Sequence, residues 1–280
     1  MISHKNKELI TLDEFLGIIF KEEVTIIDCR FNLLNKAYGR ESYLQGHIPG
    51  AIFIDVEKEL TGKVKEHGGR HPLPNIDYIH KILKNKGISP LSKIVIYDDG
   101  DFSGAGRARL ILKYLGFKDI FLLDGGFNKY KEVVGLISNH ETEYITTEFD
   151  ISINKNLFVD MEYVKKAILN EKVAIVDSRE PDRYKGLIEP VDFKKGHIPT
   201  AINYFWMDVL DESLGTMKSI DKLEEHFKDL KKYDEIIIYC GSGITASVNS
   251  VALDAIGINH KIYLGSFSDW ISYEDNIVQM

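Results

Sequence analysis

The segment Gly46-His47-Ile48-Pro49-Gly50-Ala51 returns as Gly196-His197-Ile198-Pro199-Thr200-Ala201, and it does not return alone. Upstream of each copy stands a β-branched run that ends in an acidic residue and an arginine, VTIIDCR at 24–30 and VAIVDSR at 173–179. Downstream stand KIVIYDD at 93–99 and EIIIYCG at 235–241, then IFLLDGGFNKY ending at Tyr130 and KIYLGSFSDW ending at Trp270. Matched blocks in the same order imply a duplication, so the chain must fold as two similar units. Its 280 residues agree with about two domains of roughly 150 each.

Short β-branched runs separated by stretches of helical spacing predict an α/β unit in each half, a mainly parallel sheet flanked by helices. Thr11 and Glu14 form a capping-box pattern before Phe15, Leu16 and Ile19, and Asp160 stands in the matching place before Val164, Ala167 and Ile168. The polar stretch between Ser138 and Asn156 lacks a sustained period. The expected division is therefore a first domain at 1–138, a linker at 139–156 and a second domain at 157–280. A cleft between two such halves is a natural ligand site.

Composition narrows the function. A net charge of -8 gives no general attraction to nucleic acid or to an acidic membrane. No run approaches the roughly 18 apolar residues of a membrane span, and the opening MISHKNKELI lacks the apolar stretch of a signal peptide. With only Cys29 and Cys240 present, a reducing, cytoplasmic setting is expected.

The halves differ most in their third block. Ile236-Ile237-Ile238-Tyr239 runs into Cys240-Gly241-Ser242-Gly243-Ile244-Thr245, then into a helical pattern with Val248, Val251, Ala252 and Ala255 on one face, stopped by Gly257. Cys240 is thus expected at a strand end under a helix N-terminus, where free amides and the helix dipole favour a thiolate. After Tyr97 the first half carries Asp98 instead. Cys29 ends a buried strand without such a loop and reads as a core thiol. No C-x-x-C occurs, which removes dithiol exchange and structural zinc, and the sixth residue after Cys240 is Ala246 rather than a phosphate-clamping arginine.

With these features the chain resembles the tandem-domain sulfurtransferases, the family of rhodanese and 3-mercaptopyruvate sulfurtransferase. The resemblance spans nearly the whole chain. It rests on the two GHIP blocks, the strand ends at Asp28 and Asp177, YCGSGITA at 239–246, Arg183-Tyr184-x-Gly186, and YLGSFSDW at 263–270. It implies two rhodanese-like domains, the first catalytically silent, and a persulfide formed on Cys240 and passed to a thiol, cyanide or thioredoxin-like acceptor. The loop residues Gly241, Ser242, Gly243, Ile244, Thr245 and Ala246 would hold the sulfur anion, without metal or organic cofactor.

Two points bear on the donor. The pair Gly241-Ser242 lacks the cations that thiosulfate enzymes of the family carry there, so the loop looks like the mercaptopyruvate type, with Arg183 matching the pocket arginine. The second arginine common after Glu-Pro is absent, since Glu189-Pro190 is followed by Val191 and Asp192; Lys194 or Lys195 could stand in. The likeness also implies a relay of Asp55, His71 and Ser242 across the domains, whose alternative is that His71 only orders an interdomain loop. Thr245 is expected to cap the next helix or line the loop. His47, His197, Arg30 and Arg179 recur in both halves and are expected to be structural. Gly104-Ala105-Gly106-Arg107 is expected between a strand and a helix, but Arg109 spoils the G-x-G-x-x-G pattern of a nucleotide site.

Overall fold

The apolar runs form strands buried on both faces, as continuous Val/Ile/Leu stretches require. The computed structural model describes residues 8–19 and 24–280; the polar opening at 1–7, where the first domain was expected to begin, lies outside the described residues. In the first half, β1 (Leu9–Ile10), β2 (Val24–Asp28), β3 (Ile52–Phe53), β4 (Lys93–Tyr97) and β5 (Ile120–Leu123) make a sheet of order β1-β5-β4-β2-β3. In the second, β6 (Phe158–Val159), β7 (Val173–Asp177) and β8 (Ile202–Asn203) precede a small antiparallel hairpin, β9 (Leu210–Asp211) and β10 (Thr216–Met217). With β11 (Glu235–Tyr239) and β12 (Lys261–Tyr263) they give the same order, β6-β12-β11-β7-β8. All ladders in both five-stranded sheets are parallel, and Tyr97 opposite Asp28 matches Tyr239 opposite Asp177.

The helices are α1 (Leu12–Ile19), α2 (Tyr38–Gln45), α3 (Ile76–Asn85), α4 (Ser103–Tyr114) and α5 (Gly126–Val133) in the first half. In the second they are α6 (Met161–Ala167), α7 (Pro181–Tyr184), α8 (Ile220–His226), α9 (Ala246–Ala255) and α10 (Ser266–Trp270). The capping box closes as expected: the Thr11 amide donates to Glu14 at 3.0 Å and the Glu14 amide to Thr11 Oγ1 at 3.3 Å. Asp160 caps α6 by accepting from the Tyr163 amide at 2.8 Å.

The duplication extends to single atoms. Tyr97 Oη donates to Asp28 at 2.8 Å and Tyr239 Oη to Asp177 at 2.7 Å; Arg30 and Arg179 pair with the same aspartates and reach back to the carbonyls of Gly46 and Gly196. His47 and His197 each donate from Nδ1 to a backbone carbonyl at 2.7 Å while stacking on Tyr43 and Tyr184. These repeated groups tie each sheet edge to its turn.

Helices α4 and α9 pack together at the domain boundary. One apolar cluster runs through Ala105, Ala108 and Leu112 of α4 and Val248, Val251 and Ala255 of α9. Sequence predicted one buried face for α9, yet all its residues except Asp254 are buried, because the domains enclose it from both sides. The segment Gly104–Arg107 does not precede a helix; it lies inside α4. Its glycines permit close approach, since a Cβ at Gly104 would stand 2.1 Å from the Cys29 carbonyl and one at Gly106 2.7 Å from Ser247 Oγ. Residues 139–156 form no helix or strand and run along the first domain, with the Ser152 and Asn154 amides donating to Leu115 and Tyr114.

Candidate active site

Cys240 follows β11 at the carboxyl edge of its sheet, and the loop to α9 curls around its sulfur. The Gly243 amide donates to Sγ at 3.2 Å. Gly243 has φ +78°, and a Cβ there would lie 2.3 Å from the Leu264 carbonyl, so only glycine fits this turn. Cys240 is 1% exposed. Burial alone would push its thiol up, but the Thr245 hydroxyl and the amides of Ala246, Ser242 and Gly243 stabilise the anion and bring the pKa below the ordinary thiol value. Thr245 therefore lines the loop and makes no side-chain cap on α9. Cys29 is buried, and burial with the neighbouring Asp28 raises its pKa well above the ordinary value.

Asp98 takes the equivalent seat in the first domain. Its carboxyl accepts from the amides of Gly100, Phe102 and Ala105 at 2.9, 3.2 and 3.0 Å. Burial together with Asp101 nonetheless pushes its pKa up to about 8. The same curled loop is thus present twice, once around a sulfur and once around a carboxyl.

His71 reaches the cysteine loop from the first domain. Its Nδ1 lies 2.8 Å from Ser242 Oγ and its Nε2 3.2 Å from Glu57 Oε1. Burial pulls the His71 pKa down, Glu57 partly restores it, and Arg107 and Arg70 lower it again. The ring is accordingly neutral near pH 7, with its proton on Nε2 toward Glu57, and Nδ1 accepts from the Ser242 hydroxyl.

The carboxylate beside His71 differs from expectation. Asp55 does not face His71; its Oδ1 accepts from the amides of Glu57 and Lys58, both at 3.0 Å. The short Asp55 side chain is consumed in turning the chain after β3, and that turn presents Glu57 to the histidine.

Arg183 stands over the loop. A Cβ on Gly241 would lie 3.6 and 3.7 Å from its terminal nitrogens, and the guanidinium is held by Glu189 at 2.7 Å and Asp192 at 3.0 Å. Glu189 also meets Arg179 at 3.3 Å; burial would raise its pKa, but Arg183 and the Asp192 amide hold it below the usual carboxylate range. Lys194 lies over the Phe193 ring at 6.0 Å, and Lys195 is exposed. The second arginine at the loop is instead Arg70, from the first domain, 3.0 Å from the Gly241 Cβ position.

Sequence reasoning missed Glu57, Arg70 and Arg107. Arg107 on α4 is fully buried behind the loop and donates to the carbonyls of Gly243, His71, Leu60 and Pro72. Its neighbours are separated by 36 and 136 positions from it for His71 and Gly243, so no local pattern marks it. Among the described residues no group of three or more His, Cys, Asp or Glu is placed to hold a metal ion, and no helix is long and apolar enough to cross a membrane.

Two copies of one parallel α/β unit, with an anion-holding cysteine loop in the second copy alone, define a tandem-domain sulfurtransferase. The rhodanese-like domain family model matches residues 11–133 and again 160–273. The chain belongs to the rhodanese-like family of sulfurtransferases. It is 33% identical over 271 residues, 95% of each chain, to a Pseudomonas aeruginosa protein named "Probable 3-mercaptopyruvate sulfurtransferase". It is 28% identical over 238 residues to a thiosulfate sulfurtransferase of Gallus gallus, covering 82% of this chain and 80% of that one. The crystal structure of SseA from Escherichia coli, a 3-mercaptopyruvate sulfotransferase, superposes with a TM-score of 0.82 at 28% identity, over 94% of this chain and 99% of the other.

Proposed function

We propose that this sulfurtransferase takes a sulfur atom from 3-mercaptopyruvate or thiosulfate through a Cys240 persulfide and gives it to a thiol, cyanide or thioredoxin-like acceptor. The observation that carries the reading is the Cys240 sulfur enclosed by the Thr245 hydroxyl and the amides of Ser242, Gly243 and Ala246. The thiolate attacks the donor's outer sulfur. The carbon–sulfur bond of mercaptopyruvate then breaks, its electron pair leaving as the enolate of pyruvate, which takes a proton. From thiosulfate the leaving group is sulfite, which needs none. An acceptor thiolate or cyanide removes the outer sulfur and returns Cys240 as thiolate.

The Ser242 hydroxyl, hydrogen-bonded to His71 and through it to Glu57, carries the proton that the transferred sulfur gives up: His71 Nδ1 accepts it through Ser242 as the persulfide forms, and it returns through Ser242 to the enolate. Arg183 orients the donor carboxylate. In this reading the first domain (1–138) supplies His71, the stretch 139–156 joins the halves, and the second domain (157–280) carries the cysteine. Two free thiols suit a cytoplasmic setting.

The test is sulfur transfer by purified protein with each donor in parallel, with Cys240→Ser as the blank and cyanide, a small thiol and thioredoxin as acceptors. A Cys240-dependent rate with either donor, and a Cys240 adduct one sulfur atom heavier, is the expected result. Equal rates in wild type and Cys240→Ser would overturn the reading.

A further inference from the structure

We infer that the segment 185–195 is a docking surface for a protein acceptor of the sulfur, one that presents its thiol from an apolar surface edged with carboxylates. The inference rests on the persulfide reading above and adds the partner's seat to it.

Three observations carry it. The first is where the segment stands in the duplication. His47 and His197 hold the carbonyls of Tyr43 and Tyr184 through the same ring atom, both at 2.7 Å. Between those anchors the first half spends only Leu44, Gln45 and Gly46, whereas the second inserts 185–195 ahead of Gly196. The extra chain belongs to the copy with the reactive cysteine.

The second is that the segment is inside out. Its two carboxylates are buried on Arg179 and Arg183, with side-chain exposures of 1% for Glu189 and 2% for Asp192. Its apolar side chains face solvent: Leu187 is 63% exposed, Ile188 44%, Val191 56% and Phe193 75%. Surface loops ordinarily do the reverse, and apolar side chains crowded into so short a stretch mark a contact surface. The segment is also set in advance. The Leu187 amide donates to the Asp182 carbonyl at 2.9 Å, and the Val191 and Asp192 amides donate to Glu189 Oε1 at 3.1 and 3.0 Å. Little ordering remains for a partner to impose.

The third is position and charge. Arg183 stands over the cysteine loop, and its partner Asp192 lies between Val191 and Phe193 in the chain. A molecule seated on these side chains is therefore beside the Cys240 loop. Cyanide or a small thiol has no apolar surface to place there, and a second copy of this chain would cover the approach to the sulfur. Lys185 and Lys195 are exposed and Lys194 lies over the Phe193 ring. None of the three ion-pairs with a carboxylate among the described residues, so the rim is cationic and suits acidic edges on the partner. The partner's thiolate bonds to the outer sulfur as the bond from that sulfur to Cys240 breaks, and Cys240 leaves as thiolate.

The test is steady-state transfer from one donor to reduced thioredoxin, as the protein acceptor, and to β-mercaptoethanol, as the small one. Val191→Ser with Phe193→Ser should raise KM for thioredoxin about tenfold and leave KM for β-mercaptoethanol and for the donor unchanged. Lys185→Glu should also raise KM for thioredoxin, an effect that fades at high salt.

An unchanged thioredoxin KM in the double variant, or equal losses with both acceptors, would overturn the docking surface. So would wild-type protein that serves β-mercaptoethanol but not thioredoxin, or a wild-type dimer that the double variant turns into a monomer, which would give the face to a second copy. No Cys240-dependent transfer to either acceptor is the separate failure, that of the persulfide reading and of this surface with it.

Discussion

Across the domain boundary, Arg107 Nη1 donates to the Gly243 carbonyl at 3.2 Å, so a cation of the first half braces the loop that holds the reactive sulfur. Burial pulls the Arg107 pKa down to about 10 and the Cys240 charge opposes that change, a coupling that works in both directions. Arg107→Met should move the midpoint of Cys240 alkylation by iodoacetamide to higher pH, lowering the thiolate fraction at neutral pH about tenfold. Arg107→Lys should restore most of it. A midpoint unmoved in Arg107→Met would show that the loop amides alone set the thiol.

The Glu57–His71–Ser242 chain makes a donor-specific prediction. His71→Ala should slow turnover with mercaptopyruvate by about 100-fold, within the usual range for losing general acid–base assistance, and with thiosulfate far less. Protonating His71 turns Nδ1 from acceptor into donor, so the mercaptopyruvate rate should fall on the acid side below the ordinary histidine value of 6.5. Glu57 favours the protonated ring, so Glu57→Gln should shift that limb to still lower pH, whereas Asp55→Asn should shift it less. Equal losses with both donors would remove the relay.

Asp254 on α9 pairs with Arg109 of α4 at 2.5 Å and with Lys113 at 3.0 Å. Burial raises its pKa, but Arg109, His260 and Lys113 outweigh that and bring it down to about 2. A depressed carboxyl stabilises the fold fully above its unfolded value, 3.8, and the contribution disappears as pH falls through about 2. Asp254→Asn should therefore cost about 2 kcal/mol at neutral pH, with the difference from wild type closing between about pH 4 and pH 2. Thermal unfolding across that range measures it.

Gly69 has φ +78°, and a Cβ there would meet the Gly265 carbonyl at 2.3 Å. Gly69→Ala combines left-handed strain with a backbone clash and should cost about 1–3 kcal/mol. Because it pries the 67–71 segment from the second domain, sulfur transfer should drop more than the fraction of folded protein measured by circular dichroism.

What sequence made legible follows from what was local. The strand order repeats because the hydrophobic blocks repeat, and the Cys240 loop declares itself through glycines at fixed offsets from the sulfur. Glu57 was hidden because Asp55 and Glu57 are both acidic and two residues apart; only the turn decides which one faces His71. Arg70 and Arg107 were hidden because the loop they serve lies in the other domain. No arginine follows Glu189-Pro190, and the second guanidinium beside Gly241, that of Arg70, comes from the other domain.

The seat held by Asp98 in one half and Cys240 in the other gives the duplication an evolutionary reading. A spare copy that has lost its nucleophile is ordinarily free to drift, but this one still furnishes Glu57, Arg70, His71 and Arg107 to its sibling. Selection acting on the sulfur chemistry must therefore preserve the half whose own loop holds no sulfur, and a gene split between the two would yield fragments useful only when they meet again.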